Sequence, residues 1–165
     1  MKLVFSIGSA VFCMGAFGAE LSVGAPAPEI QATILDSPAS FQVSQMHGKT
    51  IIVNFWATWC APCRAEMPTL QTYYEKHKPE GLEVLAISMD DARDLAEVRK
   101  IAHQFTFPVA IKSQANFKGL GRIWRMPTTF VIDKDGILRR NGHVGDAEIT
   151  QAELDTLVTP LLAKP

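Results

Sequence analysis

Two cysteines separated by two residues, Cys60 and Cys63, are the side chains of this chain best suited to chemistry. They follow the apolar, β-branched run at residues 51–53, where a strand is expected to pass into a helix. A thiol at the start of a helix faces unpaired N–H groups and the positive end of the helix dipole, and both favour the thiolate that attacks disulfides. The second thiol, one turn later, can resolve a mixed disulfide within the same molecule. The spacing predicts thiol–disulfide exchange, with Cys60 as the nucleophile and Cys63 as the resolving thiol.

Other roles for the same two cysteines are a structural disulfide and a metal site. A bridge across two intervening residues closes a loop too small to restrain the unfolded chain much. A tetrahedral zinc site needs two further ligands, and the four histidines are scattered with no pair at zinc-motif spacing. Copper capture by the two thiolates stays open as an alternative. No metal and no cofactor is expected for the exchange reaction itself.

The N-terminal residues have the pattern of an export signal. A lone lysine at position 2, an uncharged apolar run over 3–17 and small residues just after it are typical of a secretory signal peptide. We therefore expect a signal peptide over 1–19, one domain over 20–165 and a periplasmic location. An uncleaved membrane anchor is the alternative, although the run is shorter than the ~20 residues of a comfortable span. Cleavage would also remove Cys13, the third cysteine of the chain.

Charge is nearly balanced over the whole chain. Sixteen Lys and Arg residues face seventeen Asp and Glu residues, giving a formal net charge of −1. The charges are dispersed, with no basic patch for nucleic acid and no polybasic membrane motif. The pattern therefore argues against a nucleic-acid partner.

Hydrophobic periodicity predicts the elements that position the two cysteines. Predicted strands cover 29–35, 40–43, 50–57, 82–89, 107–111, 128–132 and 137–144, and predicted helices cover 60–78, 92–105, 116–124 and 147–162. Asp90 and Asp91 are expected to cap the second helix. Alternating strands and helices in the centre indicate a parallel βαβ core, and the Asp135-Gly136 turn adds antiparallel pairing.

Two segments carry a specific family resemblance. Residues 55–68, Phe-Trp-Ala-Thr-Trp-Cys-Ala-Pro-Cys-Arg-Ala-Glu-Met-Pro, resemble the active-site signature of exported TlpA/ResA-type thioredoxin-like proteins. Residues 126–133, Met-Pro-Thr-Thr-Phe-Val-Ile-Asp, resemble the second signature of that family, which carries a cis-proline. The resemblance implies an α/β, thioredoxin-like fold: a central mixed sheet flanked by helices, with an added N-terminal β-hairpin. It also implies a redox-active Cys60–Cys63 disulfide.

The second signature supplies expected substrate contacts. In the family, the residue matching Pro127 is a cis-proline across from the dithiol, which leaves the backbone of the preceding residue, here Met126, open to a substrate strand and keeps metal ions off the thiols. An ordinary trans proline that opens a strand is the alternative. Trp59, beside the nucleophile, is expected to line the substrate groove.

Glu66 is the candidate for proton transfer. It lies three residues after Cys63, on the same helix face. Thioredoxins carry a buried aspartate at the position of Asn54, and an asparagine cannot take a proton. Glu66 resembles the acid that ResA-type proteins carry at this spacing, and burial would raise its pKa toward neutrality. A solvated helix carboxylate is the alternative.

The dipeptide Ala61-Pro62 resembles that of reducing family members, whereas strongly oxidising members carry histidine before the second cysteine. The family therefore implies a protein-disulfide reductase that a membrane dithiol donor re-reduces, with apocytochrome c or copper-delivery and oxidase-assembly proteins as clients. We expect the protein to be a monomer. One alternative is a copper-handling chaperone with the thiols as ligands. A thiol peroxidase is a weaker alternative: residues 88–91 look redoxin-like, but the Pro-x-x-x-Thr-x-x-Cys pattern is missing.

Overall fold

The computed structural model describes residues 21–163. The predicted signal peptide over residues 1–19 lies outside this range. Within the described range, no helix combines the length and the apolar character that crossing a bilayer requires.

The described part of the chain contains eight strands and a set of helices. The strands are β1 Gln31–Thr33, β2 Ser40–Gln42, β3 Thr50–Trp56, β4 Leu82–Ser88, β5 Val109–Ile111, β6 Ala115–Asn116, β7 Thr128–Ile132 and β8 Leu138–Arg140. The helices are α1 Ala61–His77, α2 Leu95–Ala102, α3 Gln151–Glu153 and α4 Thr159–Leu162, with a π-helical segment Leu154–Val158 joining the last two.

The central sheet has five strands in the order β5-β4-β3-β7-β8. β3, β4 and β5 run parallel, while β7 pairs antiparallel with β3 and β8 antiparallel with β7. Every residue of β3 is buried, as expected for a central strand covered on both faces. The predicted mixed α/β sheet flanked by helices is confirmed.

A second, smaller sheet confirms the predicted N-terminal hairpin and extends it. β1 pairs antiparallel with β2, and β6 adds a third strand on the other side of β1. The predicted helix over 116–124 is wrong, because only Lys118–Leu120 forms a short 3₁₀ turn there. Gly121 ends that turn with a φ of 78°, a backbone conformation that glycine adopts readily.

The predicted cap of the second helix is also wrong. α2 begins at Leu95, after a 3₁₀ turn over Ala92–Asp94, and the side chain of Asp91 makes no cap hydrogen bond. Asp91 instead forms an ion pair with Lys112 at 2.7 Å.

The C-terminal helix also begins later than predicted. Thr150 is its N-cap residue, and the Oγ1 of Thr150 accepts the backbone N–H of Glu153.

Two apolar clusters lie on opposite faces of the central sheet. One contains Ile52 and Trp56 of β3 together with residues of α1, α2 and the C-terminal helices. The other contains Val53 and Phe55 together with residues of the small sheet. This alternation is the two-residue period of a strand. The helical face is the one that carries Cys60 and the rest of the site.

Gly142 offers a test of how closely the chain after β8 packs against β7. A Cβ at this position would lie 2.6 Å from Thr128 Cγ2 and 2.8 Å from the carbonyl oxygen of Thr129. Gly142→Ala is therefore expected to lower the free energy of unfolding by about 3 kcal/mol, measured by urea denaturation. Gly145→Ala is the control, because a Cβ there meets nothing within 4 Å and only the φ of 74° opposes it, at about 1 kcal/mol. Equal losses would contradict the close approach.

Candidate active site

The two cysteines form a disulfide at the N-terminus of α1. Their sulfurs are 2.06 Å apart and their Cα atoms 5.3 Å apart. Cys60 is the N-cap residue, with an extended backbone, and its Sγ accepts the backbone N–H of Cys63 at 3.3 Å. The sulfur of Cys60 therefore lies where the unpaired N–H groups of the first helical turn point. On reduction, this position favours a thiolate at Cys60.

Trp59 is far more exposed to solvent than the two cysteines. Cys60 is 4% exposed and Cys63 is 1% exposed, whereas the Trp59 side chain is 68% exposed. Cys60 is thus the more exposed residue of the pair, by a small margin. An exposed indole next to the nucleophile is available to a client protein, and its substrate-binding role stays a prediction.

The loop before β7 lies against the same cluster as the dithiol. The Met126–Pro127 peptide bond is cis, as the family resemblance implied. Pro127 is buried, and Met126 is half-buried and packs against the cluster that contains Cys60 and Cys63. The structure thus brings together the two signatures, residues 55–68 and 126–133, which are far apart in the chain. The substrate-binding roles of Met126 and Pro127 stay predictions.

Glu66 is buried, so the alternative of a solvated helix carboxylate is wrong. Its side chain is 6% exposed. Oε1 accepts a hydrogen bond from Asn54 Nδ2 at 2.7 Å, and Oε2 accepts the backbone N–H of Ile149 at 2.7 Å. Asn54 pairs with Thr129 across β3 and β7, and its Nδ2 also donates to Thr129 Oγ1 at 2.9 Å. The carboxylate is held on both sides by neutral donors.

Burial raises the pKa of Glu66 from 4.5 to about 7. The backbone N–H of Ile149, the positive charge of Arg140 and the amide of Asn54 act in the opposite direction, while the negative charge of Glu148 adds to the increase. Desolvation outweighs the stabilising contacts because none of the direct donors carries a charge. A group with this pKa exchanges protons readily near neutral pH.

Arg140, which the sequence did not single out, organises the segment behind Glu66. Its side chain is 7% exposed. The guanidinium donates to the carbonyl oxygens of Thr129, Asp146 and Glu148 and to the carboxylate of Glu153. These bonds join β7, β8, the segment before α3 and the end of α3, and thereby support the backbone that presents Ile149 N–H to Glu66. A charged residue in a short strand gives no sequence signal for such a role.

The raised pKa makes stability depend on pH through Glu66. The folded state binds the proton more tightly than the unfolded chain, so protonation stabilises the fold below pH 4.5, and this contribution is lost as the pH rises through about 7. Between pH 4 and pH 8, the free energy of unfolding of the wild type is expected to fall by about 3 kcal/mol relative to Glu66→Gln. Urea denaturation at several pH values measures the difference. Glu75→Gln, at an exposed position of α1, is the control and should follow the wild type.

The sequence matches one protein-family model and several curated proteins. Residues 23–141 match the AhpC/TSA family. The chain is 37% identical over 117 residues to the thiol-disulfide oxidoreductase ResA of Oceanobacillus iheyensis, an alignment that covers 69% of this chain and 61% of that protein. It is 36% identical over 119 residues to ResA of Bacillus anthracis, covering 71% of this chain and 67% of that protein. The chain thus spans about two thirds of the length of these curated relatives.

Solved structures share the architecture. A thiol:disulfide interchange protein of the thioredoxin family from Chlorobium tepidum superposes with a TM-score of 0.69 at 25% identity, covering 88% of this chain and all of that one. A DsbF homologue from Corynebacterium diphtheriae superposes with a TM-score of 0.66 at 27% identity, covering 83% of this chain and 87% of that one. The shared architecture is that of the sheet and helices that position the site.

Proposed function

The chain belongs to the AhpC/TSA family, and we propose that it is a thiol-disulfide oxidoreductase of the ResA kind that reduces disulfides in client proteins. The observation that carries the proposal is the Cys60–Cys63 disulfide at the N-terminus of α1, with Cys60 Sγ accepting a helix N–H group. The two relatives named above are thiol-disulfide oxidoreductases, and the Chlorobium tepidum structure is that of a thiol:disulfide interchange protein, which supports the same reaction.

The proposed reaction is a two-step exchange. In the reduced protein, the Cys60 thiolate attacks one sulfur of a client disulfide, so that a mixed disulfide forms and the other client sulfur leaves as a thiolate. Cys63 then loses its proton and attacks Cys60 Sγ, which breaks the mixed disulfide and restores the Cys60–Cys63 bond. The client leaves with two thiols, and the protein has given up two electrons.

Glu66 is proposed to take the proton that Cys63 loses in the second step. It lies one helical turn from Cys63, it is buried, and its pKa of about 7 lets it accept and release a proton at neutral pH. Asn54, its direct neighbour, has no proton to exchange. The exposed Trp59, the half-buried Met126 and Pro127 are proposed to contact the client beside the dithiol.

The setting of the reaction follows from the sequence and is part of the proposal. We propose export through the signal peptide over 1–19, work as a monomer in the periplasm and re-reduction by a membrane dithiol donor. Client proteins would be apocytochrome c or proteins of copper delivery and oxidase assembly. The curated relatives are named thiol-disulfide oxidoreductases, which supports the exchange reaction, and the choice of clients rests on the family resemblance.

The reduction potential tests the direction of the reaction. Because Ala61-Pro62 provides no hydrogen-bond donor from a side chain to the Cys60 thiolate, the couple is expected to have a potential near or below roughly −230 mV. Equilibration with glutathione buffers measures it, and Pro62→His should shift the potential upward. A wild-type value near about −120 mV would overturn the proposed reductant role. Measuring the reduction potential again in the presence of Cu(I) tests the copper-chaperone alternative, because that alternative requires the reduced thiols to bind Cu(I) tightly.

A further inference from the structure

We propose that Asp90 is a positioning residue of the exchange reaction: its buried carboxylate holds the turn that carries Cys60 and sets the reactivity of that thiol. Neither the family signatures nor the sequence pattern assigns this role to Asp90, which was expected to cap a helix. The inference rests on the proposed function, because it concerns the same dithiol.

The contacts of Asp90 are directed at the active-site turn. Asp90 follows the end of β4 and is 5% exposed. Its Oδ2 accepts the backbone N–H of Thr58 at 2.9 Å, and its Oδ1 accepts the Thr58 hydroxyl at 2.6 Å. The hydroxyl of Ser88 also donates to Oδ2, at 2.8 Å. Both polar donors of Thr58 are therefore bound to one carboxylate.

Thr58 lies inside the turn that delivers Cys60 to the start of α1. The backbone N–H of Cys60 donates to the carbonyl oxygen of Ala57 at 3.1 Å, which closes the turn around Thr58 and Trp59. A side chain that fixes Thr58 therefore fixes the backbone from which Cys60 projects. Reactions at a bound client depend on such placement, because small errors in the position of the attacking atom slow the reaction strongly.

The charge of Asp90 acts on the same turn. The three donors that Asp90 binds are neutral, so within residues 21–163 its negative charge is not cancelled by direct contact with a cation. Because Asp90 is hydrogen-bonded to this turn, its buried negative charge disfavours a second one on Cys60 and offsets part of the stabilisation from the helix N-terminus. Since a couple becomes more oxidising as its thiolate is stabilised, Asp90 keeps the dithiol on the reducing side.

Other charged groups near the turn are placed differently. Arg64 is exposed on α1, and Glu66 is buried one turn further along the helix and bound to Asn54. Asp91, the immediate neighbour of Asp90, is 58% exposed and pairs with Lys112. Among the described residues, Asp90 is thus the carboxylate that is hydrogen-bonded to the turn carrying Cys60. Asp91, its neighbour in the chain, provides a control of equal charge.

The charge is tested with Asp90→Asn, which keeps the size of the side chain. The pH profile of Cys60 alkylation, followed by mass spectrometry of the Cys60 peptide in the reduced protein, is expected to move to lower pH by at least about half a unit. The reduction potential should become less negative. Asp91→Asn should leave both measurements at their wild-type values. An alkylation profile that Asp90→Asn leaves in place would overturn the electrostatic part of the proposal, even if the melting temperature falls.

The positioning is tested with Thr58→Val, which removes the hydroxyl but keeps the charge of Asp90. The rate of client reduction is expected to fall about tenfold without a shift of the alkylation profile, and Thr58→Ser should restore the rate. If Thr58→Val loses thermal stability but exchanges disulfides at the wild-type rate, Asp90 is structural only. The alkylation measurement needs no client. If the wild type failed to reduce any disulfide, the proposed function would be wrong, but the alkylation result on Asp90 would still be valid.

Discussion

Cys63→Ser is expected to accumulate long-lived mixed disulfides with client proteins, whereas Cys60→Ser is expected to trap almost none. The reason is the asymmetry of the helix N-terminus, where Cys60 caps α1 and Cys63 lies inside its first turn at 1% exposure. Without Cys63, the protein lacks the thiol that attacks the mixed disulfide from within, so the complex persists. Without Cys60, the remaining thiol lies inside the first helical turn at 1% exposure and lacks the N-cap position that favours the thiolate.

The measurement is non-reducing electrophoresis after acid quenching, with an affinity tag on the variant. Trapped complexes should disappear on addition of dithiothreitol. The double variant Cys60→Ser/Cys63→Ser is the control for association without covalent exchange. Equal trapping by the two single variants would show that the roles of the cysteines are assigned wrongly, and no trapping by either would argue against client reduction.

The junction of β3 and α1 could be predicted from sequence because several local signals agree there. A β-branched run at 51–53 forms a fully buried central strand, and Pro62 occupies an early helical position where its missing N–H costs nothing. The spacing of Cys60 and Cys63 then fixes both sulfurs at one helix end. These relations lie within a short stretch of chain, so no tertiary information was needed.

The surroundings of Glu66 could not be predicted, because they come from distant parts of the chain. The backbone N–H of Ile149 reaches the carboxylate from 83 residues away, and Arg140 supports that segment through backbone carbonyls. The spacing from Cys63 predicted only the helix face of Glu66. Whether that face was buried depended on how the chain after β8 returns to α1.

The sequence correctly predicted that the Asp90 carboxylate accepts backbone N–H groups, but it predicted the wrong N–H donor. An aspartate before a helical pattern is a common N-cap, and the pair at 90–91 fitted that pattern. In the structure, the end of β4 lies beside the turn after β3, because the two strands pair in parallel from Thr50↔Leu82 to Trp56↔Ser88. Parallel pairing brings residues just beyond the two strands together, and Asp90 therefore meets Thr58.

Glu66→Gln is expected to slow dithiol exchange at neutral pH about tenfold or more, because the variant removes the group that takes the proton of Cys63. The fold should tolerate the change. The new glutamine would offer an amide where Glu66 accepts from Asn54, but Asn54 Oδ1 has no hydrogen-bond partner among the described residues and can accept from that amide once the Asn54 amide group turns over. The loss should therefore appear in the exchange rate and not in folding.

Stopped-flow exchange with a small disulfide, recorded from pH 5 to pH 9, measures the effect. The wild-type rate should rise through about pH 7 as Glu66 ionises and becomes able to accept a proton, and the Glu66→Gln profile should lack that step. Glu75→Gln, an exposed change on the same helix, should behave as the wild type. Indistinguishable profiles for Glu66→Gln and the wild type would show that Glu66 takes no part in proton transfer.

A second variant places the carboxyl group on the other side of the same hydrogen bond. In Glu66→Gln/Asn54→Asp, the acid stands on β3 and the amide on α1, at the two ends of the contact that measures 2.7 Å in the wild type. The introduced aspartate would take the place of a side chain that is 1% exposed, so its pKa should also lie well above its usual range. If the reaction needs a buried proton acceptor at this place, the double variant should regain part of the lost rate and a pH-dependent step. Failure to regain either, in a variant that folds, would show that the position of Glu66 on α1 is itself required.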